Sequence, residues 1–402
     1  MANPVRFRKN ANIGSADAEA DRAYLESCYV DTGDVSVLLD CADSRCLVLG
    51  RTGIGKTALL QRVLKVAEHS VELAPEALAL SYITNSTIFR FFEEAGVGLD
   101  VFYQLLWRHI IVVELLKLRF DINNEEKQRD FFSTFKIALT RSRAKERAFQ
   151  YLRDLGDKFW KETEYRTKEF THKLETDLQG SVKLDVGRIA MGAEGARKLS
   201  ELERIEVRER GTHIVNSVQV KELHDVITFL EEDVFSDRQR PYFLVIDRLD
   251  ESWVDDRIRF KLIKALLEAV HSFKKIEQAK IIIALRTDLH YRVLRETIRP
   301  GFQEEKYNSL YLPLRWGRSQ LITLLDDRVS FLFQRQYTQD NVRLADILPA
   351  GKIDRTTDAV DYILERTFFR PREANRARSV ARWFGTDRRD RLTPRCAPSC
   401  AS

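Results

Sequence analysis

The stretch Gly50-Arg51-Thr52-Gly53-Ile54-Gly55-Lys56-Thr57 sets glycines, a lysine and a threonine in the order GxxxxGK[ST]. Each residue type has a task in holding phosphate. Glycines let the backbone curl until its N–H groups face inward around phosphate oxygens, and a helix starting behind them adds the positive end of its dipole. A lysine in that position reaches the β- and γ-phosphates, and the threonine hydroxyl suits Mg²⁺. The flanks supply the elements such a loop needs. Cys46–Leu49 is continuously apolar, like a strand buried on both faces, and Leu59, Leu60, Val63, Leu64 and Ala67 recur at helical spacing. The expectation is a nucleotide-binding turn made of Gly50, Arg51, Thr52, Gly53, Ile54, Gly55, Lys56 and Thr57.

A phosphate loop needs a carboxylate for its metal, and "PYFLVIDRLDESW" offers one. Tyr242–Ile246 is a second apolar run with Asp247 at its end, where ligands sit in open parallel sheets. Asp247 is expected to share Mg²⁺ with Thr57. Asp250 and Glu251 follow within a turn; either is a candidate to polarise an attacking water as general base, or both belong to a charged loop. A third run, "KIIIALRTD", ends on Arg286, which is placed to sense a γ-phosphate or to pair with a nearby acid. No guanine-reading NKxD motif follows the loop, so ATP is expected over GTP.

Thr57 and Asp247 are 190 positions apart, more than a compact core needs. The spacing predicts a helical insertion between them. Phe102, Leu105, Leu106, Ile110, Val113 and Leu116 form one apolar helical face. Val182, Leu184 and Val186, then Ile189, Met191 and Ala193 beyond Gly187-Arg188, alternate as a β-hairpin would. That hairpin either touches DNA or a protein, or packs on the insertion. Trp316, Leu321, Leu324 or Leu325, and Val329 open a further helical segment, with Trp316 as a hinge or core residue. From Arg370 to Arg395 nine arginines face three acids, an excess that suits phosphate contact or a solvated helix.

The chain has 402 residues, 44% of them apolar and 32% charged, with a net charge of +5. That length allows more than one domain, and the charge is too small to imply nucleic-acid binding. Five cysteines, with no CxxC pair, speak against a zinc site or disulfide framework and for a reducing, cytoplasmic setting. No run is long enough for a membrane span, and the first residues lack the apolar core of a signal peptide.

"GRTGIGKTAL", "FLVIDRLDESW" and "IIIALRTD" resemble the Walker A, Walker B and sensor-1 segments of bacterial STAND- and KAP-type P-loop ATPases, the FunZ-like group among them. Asp247, Asp250 and Glu251 resemble the STAND Walker B pattern, although Arg248 stands where a small residue is common. "AEADRAYLESCYVDTG" resembles the lead-in to the first core strand, and "YILERTFFRPREANRA" a C-terminal helical subdomain. There Pro371 is expected to open a helix with Arg372 in its first turn, either reaching nucleotide from a lid or lying as surface charge. The resemblance implies an α/β P-loop NTPase fold of the ASCE/AAA+-like type, with a mostly parallel sheet, a large helical insertion and a C-terminal helical lid. Residues 1–99 and 237–314 are expected as the two halves of the core, 100–236 as the insertion with its hairpin near 182–193, 315–385 as the lid, and 386–402 as a disordered tail. It implies ATP and Mg²⁺ as ligands and hydrolysis coupled to a conformational switch in signalling or defence. A nucleic-acid motor or loader, a non-hydrolysing scaffold, a protein partner and a nucleotide-dependent homo-oligomer stay open.

Overall fold

A computed structural model describes residues 13–15, 19–75, 87–122, 176, 191–217, 220–237, 239–251, 253–254, 256–297, 305–336, 341–348 and 357–375. The chain forms two compact units. One comprises Gly33–Thr52 and Lys56–Leu314, the other Met1–Thr32, Gly53–Gly55 and Arg315–Ser402.

Among the described residues the first unit is an α/β layer structure around five strands: β1 (Leu47–Gly50), β2 (His69–Leu73), β3 (Tyr242–Ile246), β4 (Ala279–Arg286) and β5 (Tyr311–Pro313). They lie in the order β2-β3-β4-β1-β5, and every pairing is parallel. The apolar runs are continuous because both faces are covered. Along the strands, Leu244, Ile246, Ile281 and Ile283 face one buried cluster, while Phe243, Val245, Ile282 and Ala284 face the other. The smaller cluster is completed by Leu59, Leu60 and Val63 of the helix Lys56–Val66.

On the opposite face, the helix Asp100–Phe120 is buried nearly all round, with Tyr103, Trp107, Ile111, Val112 and Leu115 inside as well as the expected face. A helix apolar on every side belongs in a core. It packs on the helix Asp256–Phe273, where the Trp107 indole N–H donates to the Leu262 carbonyl at 2.8 Å. Residues 100–120 thus pack into the core of the sheet unit. Residues 177–190, which hold most of the expected hairpin, lie outside the described residues. At its far end, Met191 and Gly192 form a turn and Ala193 opens a short helix, Ala193–Arg197.

One buried lysine in β4 shows how the strands are tied to their covering helices. Lys280 is 6% exposed, and its Nζ donates to the carbonyls of Val37 and Asp40 at 2.8 and 2.6 Å. It thereby caps the carboxyl end of the helix Asp34–Leu39.

The second unit is helical. Leu321, Leu324, Leu325, Val329 and Phe333 of the helix Arg318–Gln336 form its core with Leu344, Leu364 and Ala374. The described residues up to Thr32, expected with the first half of the sheet core, belong here instead. The physical reason is a buried ion pair: Arg328 donates through Nη2 to Asp21 Oδ2 at 2.6 Å, with side chains 2% and 3% exposed. Arg328 Nη1 also donates to the Ile13 carbonyl at 3.1 Å, and Tyr24 meets Phe331 edge-on at 5.1 Å. Among the described residues no helix is long and apolar enough to cross a membrane.

Candidate functional site

Strand order brings the chemistry together in the sheet unit. Because β4 lies between β1 and β3, three neighbouring strands end side by side. Gly50 closes β1 and pairs in register with Arg286 at the end of β4, and Asp247 follows the last residue of β3. The Thr57 hydroxyl donates to Asp247 Oδ2 at 2.9 Å, across 190 residues of sequence. Asp247 is 6% exposed, and its Oδ1 accepts the Arg248 backbone N–H at 2.8 Å. The carboxylate is therefore oriented at both oxygens.

Lys56 opens the helix after the loop and folds back over it. Its Nζ donates to the carbonyls of Gly50 and Arg51 at 3.2 and 3.3 Å. Burial lowers the Lys56 pKa below the usual lysine value, while Asp250 and Asp247 act to raise it. An ammonium held by weak carbonyl acceptors beside two carboxylates is ready to exchange those carbonyls for a stronger anionic acceptor.

Arg286 is held by its neighbours. Nε and Nη2 donate to the two carboxylate oxygens of Asp288 at 3.0 and 2.6 Å, and Nη1 lies 3.5 Å from Asp250 Oδ2. Hydrogen bonding to Asp288 raises the Arg286 pKa, and the same contact lowers that of Asp288. Of the two sequence readings for Arg286, the acid-paired one describes this geometry. Asp250 is exposed, and so is Glu251, whose carbonyl accepts from Arg259 Nη1 at 2.7 Å. Arg248, between these carboxylates, has φ of +61°, a left-handed conformation that β-carbon-bearing residues enter at a cost. That backbone requirement is a physical reason for a small residue to be favoured at this position.

The tip of the loop belongs to the helical unit. Gly53 and Gly55 have φ of +79° and +104°. A Cβ on Gly53 would lie 2.8 Å from that of Arg372, so only glycine fits there. The Arg372 backbone N–H donates to the Gly53 carbonyl at 3.2 Å, and Arg372 sits in the first turn of the helix Pro371–Asn375. The Trp316 indole N–H donates to the Ile54 carbonyl at 2.7 Å.

Two residues escaped the reading of the sequence as site components. Trp316 was legible only as a hinge or core aromatic, since an indole N–H gives no sign of which carbonyl it will meet 262 positions away. Asp288 carried a usable signal, an acid two positions after Arg286 at a strand-to-helix junction. Replacing Trp316 with Phe keeps most of the packing and removes the donor, a loss of about 1 kcal/mol. Amide hydrogen exchange at Gly53–Lys56 is then expected to rise about fivefold; an unchanged rate would show that the indole does not hold the loop tip.

A family model for the FunZ-associated C-terminal helical domain matches residues 319–386. The match links the helical end of this chain to FunZ proteins and leaves the sheet-bearing unit outside it. No curated protein and no solved structure matches the chain.

Proposed function

We propose that this protein is a cytoplasmic P-loop ATPase of the ASCE type, acting as a nucleotide-driven conformational switch related to STAND-, KAP- and FunZ-like ATPases. The observation that carries the reading is the hydrogen bond between Thr57 and Asp247 at the ends of strands flanking a common neighbour, with Lys56 beside it. The parallel sheet and the match of residues 319–386 to a FunZ-associated helical domain both support it.

The donor set fits a hard divalent cation, since a hydroxyl and a carboxylate oxygen already converge at 2.9 Å. Thr57 and Asp247 would hold Mg²⁺, which when bound would neutralise charge on the phosphates. The chain's own contribution is positioning and electrostatics. Backbone N–H groups of Gly53, Gly55 and Lys56 would surround the phosphate oxygens, with the Lys56 ammonium on the outer phosphates. Asp250 or Glu251 would orient the attacking water and take its proton. Displacement of Asp250 from Arg286 by the γ-phosphate would free both the carboxylate and a guanidinium N–H together.

Steady-state ATP hydrolysis with Mg²⁺ tests this reading. Asp250→Asn or Glu251→Gln is expected to bind ATP with little change in affinity and to lose about 100-fold or more in turnover, the usual worth of a positioned base. Wild-type turnover in both variants would remove them as bases. No hydrolysis by the wild-type chain in a single-turnover assay would leave a nucleotide-binding scaffold.

A further inference from the structure

The sheet unit holds a second concave site, built from its helices alone. A cleft of ≈ 430 Å³ opens between the helices Asp100–Phe120, Val220–Phe229 and the carboxyl end of Asp256–Phe273. It lies near the amino end of β4, whereas Asp247 and Arg286 mark the carboxyl ends of their strands. The 18-residue helix Asp256–Phe273, about 27 Å long at 1.5 Å per residue, begins after the Asp247 loop and brings its carboxyl end to the cleft.

The lining is one-sided in charge. Arg108, Lys274 and Lys275 are cationic, His224 and His271 add imidazole nitrogens, and among the described residues no Asp or Glu lines the cleft. Basic groups at a helix carboxyl end have an ordinary reason to be there, since they favour the dipole. That accounts for His271, Lys274 and Lys275 but not for Arg108, which comes from the middle of a different helix.

Arg108 is the unusual member. Its Nε is buried and has no hydrogen-bond partner among the described residues. Glu268 is close enough to act on it electrostatically, yet that carboxylate accepts from Gln104 Nε2 at 2.5 Å and lies 3.8 Å from Lys264. Arg108 forms no ion pair with Glu268 among the described residues. A buried guanidinium nitrogen without a partner among the described residues is unfavourable, and an anionic ligand in the adjoining cleft would meet the same guanidinium. Ile227 supplies an apolar wall, and the volume falls in the range of small-molecule sites and exceeds what a bare phosphate fills.

We propose that this cleft binds a phosphorylated small molecule, its phosphate on Arg108 and Lys274 and its organic part on Ile227. The site stands on residues separate from the nucleotide reading, so either can fail without the other.

The test uses the full chain carrying Lys56→Ala, which disables phosphate binding at the glycine loop. Phenyl phosphate, inorganic phosphate and a short single-stranded oligodeoxynucleotide are titrated by calorimetry. Phenyl phosphate is expected to bind saturably and about tenfold tighter than inorganic phosphate. Adding Arg108→Gln, or the exposed pair Lys274→Gln and Lys275→Gln, is expected to weaken it about tenfold, which corresponds to 1.4 kcal/mol. The lysine pair keeps the test valid if the arginine variant does not fold. Absence of saturable phenyl phosphate binding at millimolar concentration, or binding indifferent to the lysine pair, overturns the proposal. Lysine-dependent binding of the oligonucleotide without binding of phenyl phosphate also overturns it, in favour of a nucleic-acid backbone.

Discussion

Lys56→Ala is expected to lower affinity for Mg·ATP by two orders of magnitude or more. Removing one partner of a desolvated charge pair costs about 2–5 kcal/mol. Here the loss is compounded by what remains, because Asp247 and Asp250 stand within electrostatic reach of Lys56 and would face an incoming polyphosphate without its ammonium. The fold itself is not expected to suffer. Among the described residues Lys56 donates only to two loop carbonyls, and its charged form is disfavoured by burial. The sign of the pH dependence follows. With a folded pKa below the unfolded 10.5, the native chain binds fewer protons than the unfolded chain between those values. The cost of burying the charge is present in full below the folded pKa and fades as pH rises towards the unfolded one. Urea midpoints measured from pH 8 to 10.5 should therefore rise in the wild-type chain relative to Lys56→Ala. Undiminished nucleotide affinity in the variant would refute the proposed site.

Asp21→Ala is expected to be the most damaging single change in the helical unit, costing about 3–5 kcal/mol of its stability. The substitution strands the Arg328 guanidinium, 2% exposed, without its carboxylate, and leaves the Ser15 N–H without the acceptor it meets at 2.7 Å. The paired replacement Asp21→Leu with Arg328→Met removes both charges and should recover most of the loss, because buried ion pairs are seldom more stabilising than apolar residues of similar volume. Urea unfolding of the three chains checks this. A change below about 1 kcal/mol in Asp21→Ala would show that the described residues up to Thr32 are not held to Arg328 in solution.

Local signals were strong wherever one short segment had to satisfy one requirement. The glycine loop, the buried runs of β1, β3 and β4, and Pro371 at a helix start are each legible because backbone sterics and two-sided burial constrain neighbouring residues directly. The strands β2 and β5 left little trace. His69–Leu73 lies at the sheet edge with most of its side chains only half-buried, and Tyr311–Pro313 is three residues long, too short for any period to emerge. The helix Asp100–Phe120 read as one apolar face because a fully buried helix and an amphipathic one share that face. Its remaining apolar positions argued for a core role that only the packing made plain.

By itself, then, the sequence determined which residues carry the types and spacings on which the proposed phosphate and metal site rests, because sterics and charge make such patterns meaningful within a few positions. Tertiary structure alone decided what each meets: Thr57 with Asp247, Arg286 with Asp288 and Asp250, Asp21 with Arg328, and Trp316 with the Ile54 carbonyl. Those pairs join residues on different elements, or choose among several carboxylates within reach. Chain connectivity places no restriction on such a choice; strand order, helix packing and the need to satisfy buried polar groups do.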